Sequence, residues 1–396
     1  MLDSERQMKV CDLCCKLVRT KSMSGEEQCV AGILENFFRN NNFDSIEKDK
    51  YGNIIGCIKG NRPGKKILYE GHMDEVPVAD PKVWTHDPFG AEIENGRIYG
   101  RGTTDMKGGL SAACCAAVFF AEETNRDFAG EIYVAGSCHE ECFEGVAARS
   151  ISAIVEPDIV IICEPSHLDL RIGQRGRAEI VVETFGRPAH SSNPEKGVNA
   201  VYKMMKIIEG IKDLPETEHP MLGKGIMALT DIISSPYPGA SVVPQYCRAT
   251  YDRRTLVGET KESILAPICE LINALREKDP ELDAAVSYAR GSEKCYTGKT
   301  IEGERFFPAW LYGEDDDFVQ AAYWELQKDG IGSKISTWHF CTNGSHYAGE
   351  ANIRTIGLGP SFEHLAHVTD EYIELDQLYY AVCAYMSIST GLLSMQ

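Results

Sequence analysis

Ile67-Leu68-Tyr69-Glu70-Gly71-His72-Met73-Asp74 is the stretch that decides the fold class. Its first three residues form a short apolar run ahead of a glycine, the pattern of a buried parallel strand. The carboxyl end of that strand delivers His72 and Asp74, and open α/β sheets bind ligands in the crevice beyond such ends. Side chains alternate with period two in extended backbone, so His72 and Asp74 share a face. The Asp74 carboxylate can then accept from one ring nitrogen of His72 while the other nitrogen ligates a metal. Taken alone, the triplet equally describes a surface histidine near an aspartate.

Working outward, Gly100-Arg101-Gly102-Thr103-Thr104-Asp105-Met106-Lys107-Gly108-Gly109 places Asp105 at the start of a helix-like stretch, residues 106–123, rich in Ala, Leu and Phe. Asp is a preferred N-cap residue, and that is the plain reading. The next strand-like run, residues 131–137, ends directly in Cys138-His139-Glu140-Glu141. Adjacent carboxylates at a strand end repel each other, and a nearby cation removes that cost. A further apolar run, residues 158–163, ends in Glu164-Pro165. Three successive strand ends thus each present an acid or a histidine.

Joined to Trp84-Thr85-His86-Asp87-Pro88-Phe89 and to His367-Val368-Thr369-Asp370-Glu371, these runs resemble a family of co-catalytic zinc hydrolases over nearly the whole chain. That family contains acetylornithine deacetylase, succinyl-diaminopimelate desuccinylase, aminoacylase and glutamate carboxypeptidase. Within it, the full run resembles the subgroup labelled selenium-metabolism hydrolases. The resemblance implies that His72 ligates one metal, that Asp105 bridges two, and that Glu164 completes the first site. Glu141 and His367 would hold the second metal, and Glu140 would be the general base. Asp74, read from its spacing to His72, is the further catalytic candidate. His364 competes with His367, but the Val-Thr-Asp-Glu-Tyr that follows His367 matches the family run. His139, His339 and His346 have no matching role. The implied reaction is attack of a metal-bridging hydroxide on an amide carbonyl. Imidazole and carboxylate ligands without thiolate suit two zinc ions, with cobalt or manganese as substitutes.

Gly186-Arg187-Pro188-Ala189-His190-Ser191-Ser192 resembles the start of the family's smaller dimerisation domain. His190 is implied to reach across a homodimer and stabilise the oxyanion in the neighbouring subunit; without the family it reads as a turn histidine. Arg254 falls thirteen positions after Ser241, the spacing of the family's carboxylate-binding arginine, and a guanidinium suits a bidentate carboxylate. Ser241 itself stands where relatives commonly have Asn. Cys341-Thr342-Asn343-Gly344-Ser345 replaces a Gly-Gly-Thr-Asp-like loop that lines the family's specificity pocket, which makes Asn343 and Gly344 substrate-binding candidates.

The 396 residues suffice for two domains. Pattern alone gives an α/β chain. The resemblance refines this to a catalytic domain with a central mixed sheet flanked by helices, residues 1–175 and 299–396. A smaller α+β dimerisation domain, residues 176–298, is inserted in it. Ser24-Gly25-Glu26-Glu27 fits a capping box for a helix over residues 25–40. A net charge of −19, from 40 basic and 59 acidic residues, argues against nucleic acid or anionic membranes as partners. Fifteen cysteines and an amino-terminal stretch without a signal-peptide core point to a reducing cytoplasm. Cys11, Cys14 and Cys15 lie on a helix-patterned stretch without zinc-finger spacing and read as structural thiols.

The expected function is metal-dependent hydrolysis of an amide in a small carboxylate-bearing substrate, of the peptidase or deacylase type. An N-carbamoyl or ureido amide is the alternative substrate. A non-catalytic metal- or ligand-binding homologue is the rival from another class, and would be expected to lack the base or a ligand.

Overall fold

A computed structural model describes residues 2–395. The chain divides into two compact units, Met1–Gln174 with Ser292–Glu302 and Trp310–Gln396, and Arg175–Gly291 with Gly303–Ala309. The segment Ser292–Glu302 lies mostly within the stretch expected to belong to the insertion, yet it packs with the first unit. There the Tyr296 hydroxyl donates to the Gly52 carbonyl at 2.6 Å and the Thr297 hydroxyl to the Lys50 carbonyl at 2.8 Å.

The first unit is built on a nine-stranded sheet: β1 Ser45–Lys48, β2 Ile54–Lys59, β3 Arg62–His72, β4 Ala129–Ser137, β5 Ile159–Ile162, β6 Leu170–Gln174, β7 Trp310–Leu311, β8 Ile335–Trp338 and β9 Arg354–Gly357. Their order is β1-β2-β4-β3-β5-β9-β6-β7, with β8 also paired to β6. The central four, β4, β3, β5 and β9, run parallel, with antiparallel β2 and β6 on either side. His72 stands opposite Ser137 and Glu70 opposite Ile162. This register brings the carboxyl ends of β3, β4 and β5 to one edge.

Burial follows the sequence pattern. Ile67, Leu68 and Tyr69 are buried on both faces of the sheet. One face carries Leu68, Val160 and Ile162 against Ile151, Val155, Trp338 and Tyr347. The helix Gly108–Glu123 is buried almost all round, as expected of a helix without a polar face. It begins at Gly108 and not at Met106, because Asp105 (φ −124°, ψ 93°) and Met106 (φ −138°, ψ 33°) leave the helical region. A Cβ at Gly109 would lie 2.1 Å from the Cys163 carbonyl oxygen, so glycine lets this helix approach the end of β5.

The second helix likewise starts late, at Gln28, with no side-chain cap. Ser24 and Glu27, expected to form a capping box, are committed elsewhere. The Ser24 hydroxyl donates to Asp74 at 2.6 Å, and Glu27 accepts the amides of Gly25 and His139 at 2.8 and 3.1 Å.

The second unit is an antiparallel sheet in the order Ile226–Ser235, Tyr246–Thr255, Gly176–Phe185, Asp283–Tyr288. Helices Ala200–Lys212 and Lys261–Lys278 supply its core with Met204, Ile207 and Ile268, packed on Ile180, Val182 and Ala249. Ile226–Ser235 is an edge strand whose Leu229, Ile232 and Ile233 are exposed. Among the described residues, no helix is long and apolar enough to cross a membrane.

Candidate metal centre

The parallel strands converge their terminal side chains on one spot of the first unit. His72, at the end of β3, directs Nε2 to Asp105 Oδ1 at 2.9 Å and to Glu164 Oε1 at 3.5 Å. His367 directs its own Nε2 to Asp105 Oδ2 at 3.1 Å and to Glu141 Oε2 at 3.1 Å. Asp105 therefore lies between the two imidazoles, with one oxygen toward each. His367 has φ 64°, a left-handed residue in the loop before the strand Tyr372–Glu374. His364, its competitor in the sequence, instead has its ring beside Phe362, centroids 5.4 Å apart.

Two groups here bring their donor atoms within 4.8 Å of one another: His72 with Glu140 and Glu164, and His72 with Asp105 and Glu141. The second oxygen of Glu164 is buried without a hydrogen-bond partner, a cost that a bound cation would remove. The electrostatics agree. Burial drives the Glu164 carboxyl well above the ordinary range, and the charge of Asp105 adds to it. Burial and then Asp105 push Glu141 up to about 7. Glu140 is raised by burial and, against His72, by Glu164, Glu141 and Glu144. Burial opposes the charge of Asp105 too, but His367 and His72 hold its carboxyl well below the usual range. Hydrogen bonds to Asp105 and Glu141 push His367 up to about 10. So many acids crowded around two imidazoles form a natural receptor for divalent cations.

Asp74 is placed differently from the expectation. The His72 Nδ1 atom lies 2.8 Å from the Asp74 backbone carbonyl oxygen, and the nearer carboxylate oxygen is at 3.6 Å. The carboxylate instead accepts the backbone amides of Glu140 and Glu141 at 3.1 and 3.2 Å. The reason is local: the chain turns sharply just after β4, at His139 (φ 58°), and the amides exposed by that turn need an acceptor.

The sequence pattern of the family described as peptidase family M20/M25/M40 matches residues 68–390. The chain belongs to that family. YgeY, an uncharacterized protein of Escherichia coli strain K12, is 30% identical over 94% of this chain and 91% of its own length. Succinyl-diaminopimelate desuccinylase 2 of Ruegeria sp. strain TM1040 is 32% identical over 72% of this chain and 74% of its own. The crystal structure of aminopeptidase PepT from Bacillus cereus shares the fold at a TM-score of 0.75, with 18% identity and 98% of each chain covered. As an M20 protein, the chain is a metallohydrolase acting on amide or peptide bonds.

The remaining candidates lie apart from this cluster or serve it indirectly. His190 and Arg254 belong to the second unit. His190 is exposed, and its Nδ1 accepts the amide and hydroxyl of Ser192 at 3.1 and 2.8 Å, which leaves the ring proton on Nε2. Arg254 is paired through Nε with Asp252 at 3.0 Å, a carboxylate shared with Arg177. In the first unit Asn343 is buried; its Nδ2 donates to Glu70 and Ser137 at 2.8 and 3.0 Å, and its Oδ1 accepts the Gly145 amide at 2.6 Å. The adjacent Gly344 sits where a Cβ would meet the Trp310 indole at 2.8 Å.

Sequence reasoning missed two buried ion pairs of this M20 centre, Arg101 with Glu371 and Lys107 with Glu75. A signal was present: two cations stand inside a glycine-rich run that leads into an apolar helix. Glu70 was missed as well, though a lone acid within a buried strand is unusual.

Proposed function

We propose that this M20 protein is a two-metal hydrolase that cleaves an amide bond in a small substrate bearing a carboxylate. The placement of Asp105 between His72 and His367 carries the reading. His72 and Glu164 would hold one divalent cation, Glu141 and His367 the other, and Asp105 both; the donor set favours zinc. Such a pair supplies Lewis acidity, lowering the pKa of a water toward neutrality and polarising a carbonyl.

The chain's own residues do the rest. Glu140, held by its amide to Asp74 and buried beside His72 and Glu164, takes a proton from the attacking water and returns it to the leaving amine. The Nε2–H of His190 is a donor fit for a developing oxyanion. Arg254, oriented by Asp252, is suited to a substrate carboxylate. We also propose a homodimer, supported by the apolar edge strand Ile226–Ser235, since a sheet edge of this kind invites a partner strand.

Elemental analysis of purified protein, with amine release from N-acyl, N-carbamoyl and dipeptide substrates before and after chelation, tests the reading. About two zinc-like ions per chain and chelator-sensitive release are expected. Absence of tightly bound metal, with no activity on readdition, would sink it in favour of a binding protein.

A further inference from the structure

Asp105 can face two imidazoles at once only if its backbone is fixed, and the local chain has no regular structure to fix it. The residues Thr103–Lys107 precede the helix proper, and Asp105 and Met106 have non-helical backbone angles. The amides of Thr104 and Asp105 find their acceptor in a side chain instead. Both donate to the same Glu371 oxygen, at 2.9 and 3.1 Å.

The other Glu371 oxygen accepts from Arg101 Nη1, and the Gly100 amide donates to the Glu371 carbonyl at 2.8 Å. Alongside, the Thr104 hydroxyl donates to the Tyr372 carbonyl at 2.7 Å. Glu371 is fully buried and lies four residues beyond His367. One carboxylate thus ties the backbone of the shared acid to the segment that brings in the second histidine.

This is a costly way to satisfy two amides. A buried ion pair gains little stability over a neutral substitute. What the carboxylate offers is an acceptor on each oxygen, one for the two amides and one for the guanidinium.

We propose that Glu371, paired with Arg101, is a positioning residue that aims the Asp105 carboxylate at both metal positions. The inference rests on the two-metal reading above.

Zinc titration of chelated protein at pH 7.5 by calorimetry tests it, with wild type beside Glu371→Gln and Arg101→Lys. In Glu371→Gln one acceptor becomes a donor, which must face either the Arg101 guanidinium or the amides of Thr104 and Asp105. At least one of the two zinc affinities is expected to fall roughly 10–100-fold, the scale of such outer partners of metal ligands. The visible spectrum of the cobalt-loaded variant should change with it, while the melting temperature of the metal-free protein stays near wild type. Arg101→Lys leaves both amide bonds in place and should show a smaller loss, so the proposal stays testable if Glu371→Gln does not fold. Two wild-type affinities in a folded variant, or a lowered metal-free melting temperature with unchanged affinities, would overturn the positioning role. Failure of wild type to bind two ions would instead overturn the two-metal reading beneath it.

Discussion

The Asp74 carboxylate accepts the backbone amide of Glu140 at 3.1 Å, and its second oxygen accepts that of Glu141 at 3.2 Å. One acid therefore fixes the main chain beneath both the proposed base and a proposed ligand. The ring of His72 is held separately, by the Asp74 backbone carbonyl.

Asp74→Asn separates these two jobs. It turns one acceptor into a donor facing an N–H group, while the carbonyl that holds His72 is untouched. We expect kcat to fall roughly 10–100-fold with zinc stoichiometry still near two. Weakened zinc binding at full kcat would mean that the carboxylate serves His72 after all.

Glu140 is close enough to His72 and Glu164 to be a ligand as well as a base. Glu140→Gln is expected to lower kcat by about 10²–10⁴-fold, the range for a lost general base, with metal content unchanged. Loss of one ion per chain, measured by elemental analysis, would move Glu140 into the ligand set.

Metal-free protein should lose stability as pH rises. Glu141 is raised to about 7 and His367 to about 10, from ordinary values of 4.5 and 6.5. Between those limits the folded chain holds more protons than the unfolded one, so stability present at low pH is lost as pH climbs through about 7 and then about 10. The lowered Asp105 acts in the opposite sense, but below 3.8, outside this window. Melting temperatures from pH 5 to 9 in chelator should fall steadily, and zinc should flatten the trend with proton release on binding. A rising profile without metal would contradict the assignment.

If His190 acts on the neighbouring subunit's substrate, inactive His190→Ala and inactive Glu140→Ala chains should recover partial activity when mixed and refolded together. Verified mixed dimers without recovery would confine His190 to another task.

The edge strand gives an independent test of assembly. Ile233 is 51% exposed, so Ile233→Lys should alter monomer stability by no more than about 0.5 kcal/mol. Sedimentation at micromolar concentration should nevertheless show a shift from dimer to monomer. An unchanged dimer would place the interface elsewhere.

Much of this protein was legible in its sequence because the informative patterns are local. Apolar runs ending in His72, Glu140-Glu141 and Glu164 specify buried parallel strands, and a period of two fixes which residues share a face. The motifs around Asp105 and His367 sufficed for the family. What the sequence could not specify were bonds between distant segments competing for the same groups. Ser24 and Glu27 have the spacing of a helix cap, but Asp74 and His139 claim them, and the helix starts at Gln28. Asp105 has the residue type of an N-cap, but Glu371, 266 residues away, holds its amide in a non-helical turn. Local propensity is worth a kcal/mol or so per cap; leaving a buried amide or carboxylate without its partner costs as much or more, and only the tertiary structure decides which partner is within reach.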